Sequence, residues 1–471
     1  MCIFPRLGLL LTICAGLVWP QGAQFEKHRD VGTVLHPGSF EYDAGRKVYR
    51  IRSSGENMWA AEDDFHFAYQ QVSGDVTLTA DLTILGTGGN AHRKAMLLIR
   101  QSLDTDSAYA DAALHGNGLM SLQARPENGS KTYEIQSNVA NPERVRLVKR
   151  GDLFYLYVAK KGEEFQFSGG SVRVPLKEPF YVGLGVCAHD KDHVETAEFA
   201  NVELTFPKAN GKTTRFSTIE TIPYPPSDRH ATYAAVGKIT NVTWSRDGKS
   251  LVFAHDGTLQ RLPATGGKPE AIRPAAPVGT VAISPDGTQL AAGAEIIPLD
   301  GSNRARKLGK GRTVHGWSPD GKTLLVIAKG ELFTIQSDGK KETMLAADAE
   351  NPEYSPDGEF VYFNSTRGGS MQVWRMNAAG GGLDQVTSGD LANWYPHLSP
   401  DGKRLLVLSC DPSVKEAPVD REVQLHVITL ADQKVQVLAR IQMGGQGTID
   451  APAWSPDGRR IAYVTYQDVP E

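Results

Sequence analysis

One tetrapeptide constrains this chain more than any other feature. It occurs six times: Ser245-Arg246-Asp247-Gly248, Ser284-Pro285-Asp286-Gly287, Ser318-Pro319-Asp320-Gly321, Ser355-Pro356-Asp357-Gly358, Ser399-Pro400-Asp401-Gly402 and Ser455-Pro456-Asp457-Gly458. The starts lie 39, 34, 37, 44 and 56 residues apart. Such periods are those of propeller blades with about four strands each. The local chemistry fits a tight turn, because Pro presets φ, Asp bonds nearby backbone and Gly accepts positive φ. Trp244, Trp317, Tyr354 and Trp454 stand directly before the motif, and strand-forming runs such as 322–327 and 460–465 follow it. The pattern reads as strand, turn, strand.

Six motifs predict six blades, yet the chain ends at Glu471, soon after the sixth. Two strands are missing there. The stretch before the first motif can supply them: 216–222, a turn at Pro225-Pro226-Ser227-Asp228, and 230–234 form a hairpin of suitable length. Both chain ends would then share one blade, which removes a free sheet edge. We expect a propeller over 215–471, closed by strands from 215–235.

The remaining sequence sets compartment and partners. Lys+Arg 50 against Asp+Glu 54 gives a formal charge of -4, so no basic excess favours nucleic acid. Arg6, the apolar run 7–18 and the small-residue region 19–23 form an export-leader pattern. That run is shorter than the ~20 residues of a spanning helix. We therefore expect a leader at 1–23 and a periplasmic or extracellular protein, with no membrane span in the mature chain. Cys2 and Cys14 fall in the leader, and Cys187 and Cys410 stand 223 residues apart, so no disulfide framework is expected.

From Phe25 to Phe206 the apolar residues alternate with a period of two. Val76, Leu78, Ala80, Leu82 and Ile84 form one such series, and Val182, Leu184 and Val186 another. Period two means strands with one buried face. The fold expected for the chain is all-β: a jelly-roll β-sandwich over 25–207, a polar linker at 208–214, then the six-bladed β-propeller.

The Ser-Pro-Asp-Gly repeats resemble the WD40-like β-propeller repeats of the TolB group of envelope proteins, over about 215–467. TolB proper carries an α/β domain before its propeller, and this chain carries something else. The N-terminal half resembles the concanavalin A-like lectin/glucanase superfamily. The residues that carry this likeness are 55–59, 63–67, Gly74-Asp75-Val76, Lys94-Ala95-Met96 with Arg100, and 199–203.

Two faces are candidate binding sites. On the sandwich, the polar side of three runs collects Tyr109, Asp111, His115, Ser121, Gln123 and Arg125, with a turn at Gly116-Asn117-Gly118 placing two of them on neighbouring strands. Gly183 and Gly185 would leave bare backbone as the floor of a sugar groove. Trp59 would stack on a sugar ring, and His92, Arg93, Lys94 and Arg100 would bond hydroxyls or a carboxylate. The competing reading is an ordinary solvated sheet face. On the propeller, irregular loops of blades four to six gather Asn364, Trp394, His397, Gln446 and Thr448 opposite the Ser-Pro-Asp-Gly turns. There the competing reading is that His397 and Gln446 satisfy buried backbone.

Catalytic signatures are thin. No Gly-x-Ser-x-Gly occurs, and Glu195 and Glu198 fall on opposite faces of a strand. The consecutive His189-Asp190-Lys191-Asp192-His193 reads as a hydrated loop, because metal ligands need spacing. No cofactor is expected. The reading favoured is a secreted or periplasmic, non-catalytic binding protein, with a glycan recognised by the sandwich and a partner or ligand by the propeller. Two alternatives stand: a carbohydrate-active enzyme, hydrolase or lyase, with its site on the propeller loops, and an envelope scaffold like TolB binding an envelope protein.

Overall fold

The computed structural model describes residues 24–208, 211–273, 279–299 and 304–470. The leader expected at 1–23 and part of the expected linker lie outside them. Every regular element within them is a β-strand, and no helix is long and apolar enough to cross a membrane.

Alternation builds the N-terminal half as read. Two sheets face each other. One runs Lys27–Val31, Phe65–Val72, Phe180–Cys187, then β1 (Lys94–Arg100), β2 (Tyr109–His115), β3 (Met120–Arg125) and β4 (Tyr133–Ser137). The other is Gln166–Phe167, Leu153–Ala159, Arg144–Arg150, Val76–Leu85, Glu195–Thr205, Val48–Ser53 and Ser39–Asp43. Leu78, Ala80, Leu147 and Phe199 of the second sheet meet Leu97, Ala112, Leu122 and Val182 of the first in one apolar core. Burial of that core drives the sheets together.

In the C-terminal half, five four-stranded blades span 239–273, 281–307, 313–347, 350–385 and 392–444. All six Ser-Asp-Gly turns share one lock. The Ser hydroxyl donates to the Asp carboxylate over 2.5–2.6 Å, and the Gly amide donates to the Ser carbonyl. Gly takes φ of 67–76° in each. The turns also pack in a circuit. Gly321 lies over Pro285, Gly358 over Pro319, Gly402 over Pro356, Gly458 over Pro400 and Gly248 over Pro456, while Gly287 lies over Arg246. Turn one thus touches turn six, and the ring is closed. Trp244, Trp317 and Trp454 pin it by donating from Nε1 to the carbonyls of Ala453, Ala282 and His397 on the preceding ring position.

The sixth position corrects the expected count. It holds β5 (Thr213–Pro223), β6 (Arg229–Val236) and β8 (Arg460–Pro470), with β7 (Val435–Gly444) being the outer strand of the fifth blade. The hairpin does pair with the chain end, from Thr213↔Pro470 to Pro223↔Arg460. The innermost place, however, has only the bridge Trp454↔Ile461. The sheet also continues past the hairpin, because β6 pairs in parallel with β4 of the sandwich. The described residues therefore form five four-stranded blades. Its sixth motif heads a three-stranded set merged into a ten-stranded sheet shared with the N-terminal half. The linker expected to separate two modules is bypassed by this pairing.

Candidate functional site

β2 and β3 are antiparallel neighbours, with Asp111 opposite Gln123 and Tyr109 opposite Arg125. The period-two reading thus brings Tyr109, Asp111, His115, Gln123, Arg125 and Arg100 onto one sheet face. That face is closed. All six residues are buried, beneath a segment containing the short strands Met58–Trp59 and Glu62–Asp63.

The cover supplies the bonds that a ligand would otherwise make. The Asp63 carboxylate accepts Arg125 Nη2 at 2.6 Å and Nη1 at 2.9 Å, and Arg100 Nη2 at 3.3 Å. Arg125 also donates to the carbonyls of Ala60, Thr105 and Ser107 and stacks over Tyr109, whose hydroxyl meets Thr132. Lys94 donates to the Met58 carbonyl at 2.8 Å and to Gln123, and Gln123 donates to Glu134 at 2.9 Å. Trp59 is half-buried, with Lys94 Nζ 5.4 Å from its ring centroid, so the ring covers a cation.

Several polar atoms remain without partners in this layer: both Asp111 carboxyl oxygens, Ser121 Oγ, His115 Nδ1, and Nε and Nη1 of Arg100. Burial pushes the Asp111 carboxyl well above its usual range. It pushes His115 down to about 3, with Lys94, His92 and His189 adding to the effect. Burial thus favours the neutral form of both the Asp111 carboxyl and the His115 ring.

Gly183 does not floor a groove. A Cβ there would stand 1.9 Å from the Ala68 carbonyl oxygen, so the residue is glycine because Phe65–Val72 passes close. Gly185 is similarly filled by Met96 and Phe65. The sandwich opens at its end instead, in a cavity of about 620 Å³ lined by Gly88, Arg93, His115, Asn117 and Asn141. One buried nitrogen of its wall, His115 Nδ1, has no partner, while Arg93 is paired with Glu195 through Nε at 3.5 Å and donates from Nη1 to the carbonyls of Gly88 and Asn90.

The propeller residues also come together, as ties between blades. Asn364 donates to the Asn393 carbonyl at 2.8 Å and accepts the Tyr395 amide at 2.7 Å. Trp394 is wholly buried in an apolar cluster. His397 reaches Glu353 from Nδ1 at 2.6 Å and the Ile449 carbonyl from Nε2 at 2.5 Å. Thr448 is buried, its hydroxyl accepting the Gly445 amide. Gln446 alone of the five is exposed. Asp63, Glu134 and Glu353, which complete both networks, carry no local sequence signal for that role.

The segment 189–193 is a turn in which Asp190 bonds His193 and the Asp192 amide. Among the described residues no cluster of His, Cys, Asp or Glu could hold a metal. Cys187 and Cys410 are buried thiols.

The family of the TolB beta propeller domain matches residues 304–439. An uncharacterised protein of Agrobacterium fabrum is 34% identical over 245 residues, which cover 47% of this chain and 83% of that protein. The Tol-Pal system protein TolB of Francisella tularensis is 33% identical over 79 residues, which cover 16% of this chain and 18% of that protein. A solved TolB structure from Agrobacterium tumefaciens has 31% identity and a TM-score of 0.48, covering 54% of this chain and 99% of that one. The five repeated blades, the circuit of turns and a relative matched over most of its length agree: the chain belongs to the TolB-like β-propeller family.

Proposed function

We propose that this chain is an exported, non-catalytic binding protein of the bacterial envelope. Its propeller is the scaffold for a protein partner, and its sandwich, read as a concanavalin A-like jelly roll, is a second recognition module. Kinship carries the proposal, since the TolB beta propeller domain family matches 304–439 and 83% of the Agrobacterium fabrum relative aligns with this chain at 34% identity. A ring locked turn to turn is a rigid platform, and rigid platforms bind without an ordering cost. The leader pattern at 6–23 supports a periplasmic or extracellular location.

A glycan on the sandwich is the second reading. The observation favouring it is the end cavity, where the buried His115 Nδ1 has no partner and Arg93, Asn117 and Asn141 add polar groups to the wall. Buried polar atoms without partners are costly and mark places where a ligand or water completes the bonding.

Fractionation of cells making the full tagged chain, with sequencing of its mature N-terminus, tests the first reading. The expected result is a periplasmic or secreted protein cleaved after Ala23. An uncleaved cytoplasmic chain overturns it. A glycan array on the same protein tests the second, with Arg93→Ala expected to lose any signal.

A further inference from the structure

The five complete blades do not end alike. Their outer strands are 4, 2, 5 and 2 residues long in the first four, but β7 in the fifth has 10. Short outer strands are how propellers protect their edges, and a long one invites a further strand. Among the described residues β7 pairs only on its inner side, with Arg421–Thr429. Val435 and Val437 on it are among the exposed large apolar residues.

This edge forms one wall of a cavity of about 550 Å³ between the propeller and the sandwich. Six consecutive residues, Val437 to Gln442, line it. Successive strand residues point to opposite faces, so a wall made of consecutive residues presents the backbone edge. At about 3.3 Å per residue that wall is roughly 20 Å long. Ile222 adds apolar surface across the cavity.

The charges in the cavity are unequally committed. Arg229 is held by Glu220 through Nε at 2.7 Å and Nη2 at 2.8 Å, which leaves Nη1 unused at the cavity wall. Arg173 and Arg440 line the same cavity, are exposed, and form no ion pair among the described residues. On the acidic side, Glu134 is occupied by Gln123 and Gln136. Burial raises the Asp228 carboxyl towards its neutral form. Glu127 stays at the rim. Three guanidiniums thus offer unused donors beside an unpaired strand edge.

We infer that this cavity is a docking site for an extended, carboxylate-bearing peptide segment of a partner protein, added as a strand to β7. Backbone bonds to β7 supply affinity, alternate side chains fill the apolar wall, and acidic residues meet Arg173, Arg229 and Arg440. The site is separate from the propeller loops and meets the sandwich face only at Glu134.

The test uses the full-length protein and a fluorescein-labelled, capped heptapeptide of alternating valine and glutamate. Two controls replace glutamate by lysine, or N-methylate alternate valines so that strand bonds are lost. Anisotropy is expected to show binding of the acidic peptide at least tenfold tighter than either control. The Arg173→Glu/Arg440→Glu double variant, both sites being exposed and unpaired, is expected to keep its melting temperature and weaken binding at least tenfold. Hydrogen exchange at 437–442 is expected to slow on binding. Equal binding of the acidic and lysine peptides, undiminished binding by the double variant, or absence of protection at 437–442 each overturns the inference. Tight binding of the N-methylated peptide overturns strand addition as its mode.

Discussion

Two histidines, one in each half of the molecule, are buried to the same degree and have their pKa values shifted in opposite directions. His115 in the sandwich is 4% exposed and His397 in the propeller 6%. His115 has Nδ1 without a partner, and the Gln123 amide 3.4 Å from Nε2 can only donate to it. Nothing there rewards a proton, and the ring is neutral. His397 has an acceptor at each nitrogen, the Glu353 carboxylate and the Ile449 carbonyl, so a protonated ring can donate from both nitrogens. Burial opposes that charge, yet Glu353 and the two bonds outweigh it and raise the pKa. Burial by itself does not fix charge; the partners within reach do. The same contrast separates the halves. The sandwich face holds charges locked under a cover, whereas the propeller uses single ties between neighbouring blades.

The largest effect should come from breaking the sandwich lock. Asp63→Ala leaves Arg100 and Arg125 as buried cations facing each other without a counter-ion. Removing one member of a buried ion pair costs about 3–5 kcal/mol. Denaturant unfolding should show that loss, with Asp63→Asn losing less because the shape and some bonds survive. A loss below ~1 kcal/mol, the scale of an exposed pair, would mean water reaches the network.

The pH dependence sharpens the comparison next. For His115 the folded pKa is about 3 against 6.5 unfolded, so its contribution is complete above 6.5 and declines as acid protonates the unfolded chain. At pH 5 the decline amounts to roughly 2 kcal/mol. For His397 the folded pKa is raised, so its contribution is complete below 6.5 and is lost as pH rises through the folded value. Denaturation midpoints between pH 5 and 8.5 should therefore move in opposite directions for His115→Leu and His397→Gln relative to the parent. Asp450 lies near His397, and burial raises its carboxyl to about 6. Asp450→Asn separates its titration from that of the histidine. Parallel profiles for the two histidine variants would show that the rings share one charge state.

How far each half could be read from sequence follows from where the partners lie along the chain. The turn lock was legible because Ser, Asp and Gly sit within four residues, and the next strand's amide is only five away. The membership of the sandwich face was legible too, since period two puts these residues on one face and the Gly116-Asn117-Gly118 turn makes the two strands neighbours; the pairing of Asp111 with Gln123 and Tyr109 with Arg125 came from the structure. Its cover was not legible. Asp63 reaches Arg125 across 62 residues, and nothing near either one announces the pairing. The union of β4 with β6 was equally hidden, because a parallel pair of three residues, Ile135 to Ser137 with Arg229 to Ala231, leaves no turn in the sequence. That union carries its own prediction. Ala231 lies in the sandwich core, so an isolated 24–207 fragment loses core cover and bares the edge of β4. Calorimetry should find it melting below the corresponding transition of the intact chain. Identical melting would restore the division into two independent modules.

The smallest effect belongs to a single turn of the ring. Ser399 is buried, donates to Asp401 at 2.5 Å and accepts the Arg404 amide at 3.0 Å. Ser399→Ala removes both bonds and leaves the Arg404 amide without that acceptor. Little water can reach the site, so a loss of about 1–2 kcal/mol is expected. Ser245 makes the same two bonds in the first turn but is half-buried, and there Arg246 replaces the usual proline. Water can substitute for the lost hydroxyl at that turn. Ser245→Ala should therefore cost less, about 0.5 kcal/mol. The pair measures whether each turn acts on its own blade or through the whole circuit. Unequal losses that follow burial place the energy within each turn. Equal losses of ~3 kcal/mol or more would exceed what two hydrogen bonds supply, and would mean that loosening one turn opens the ring.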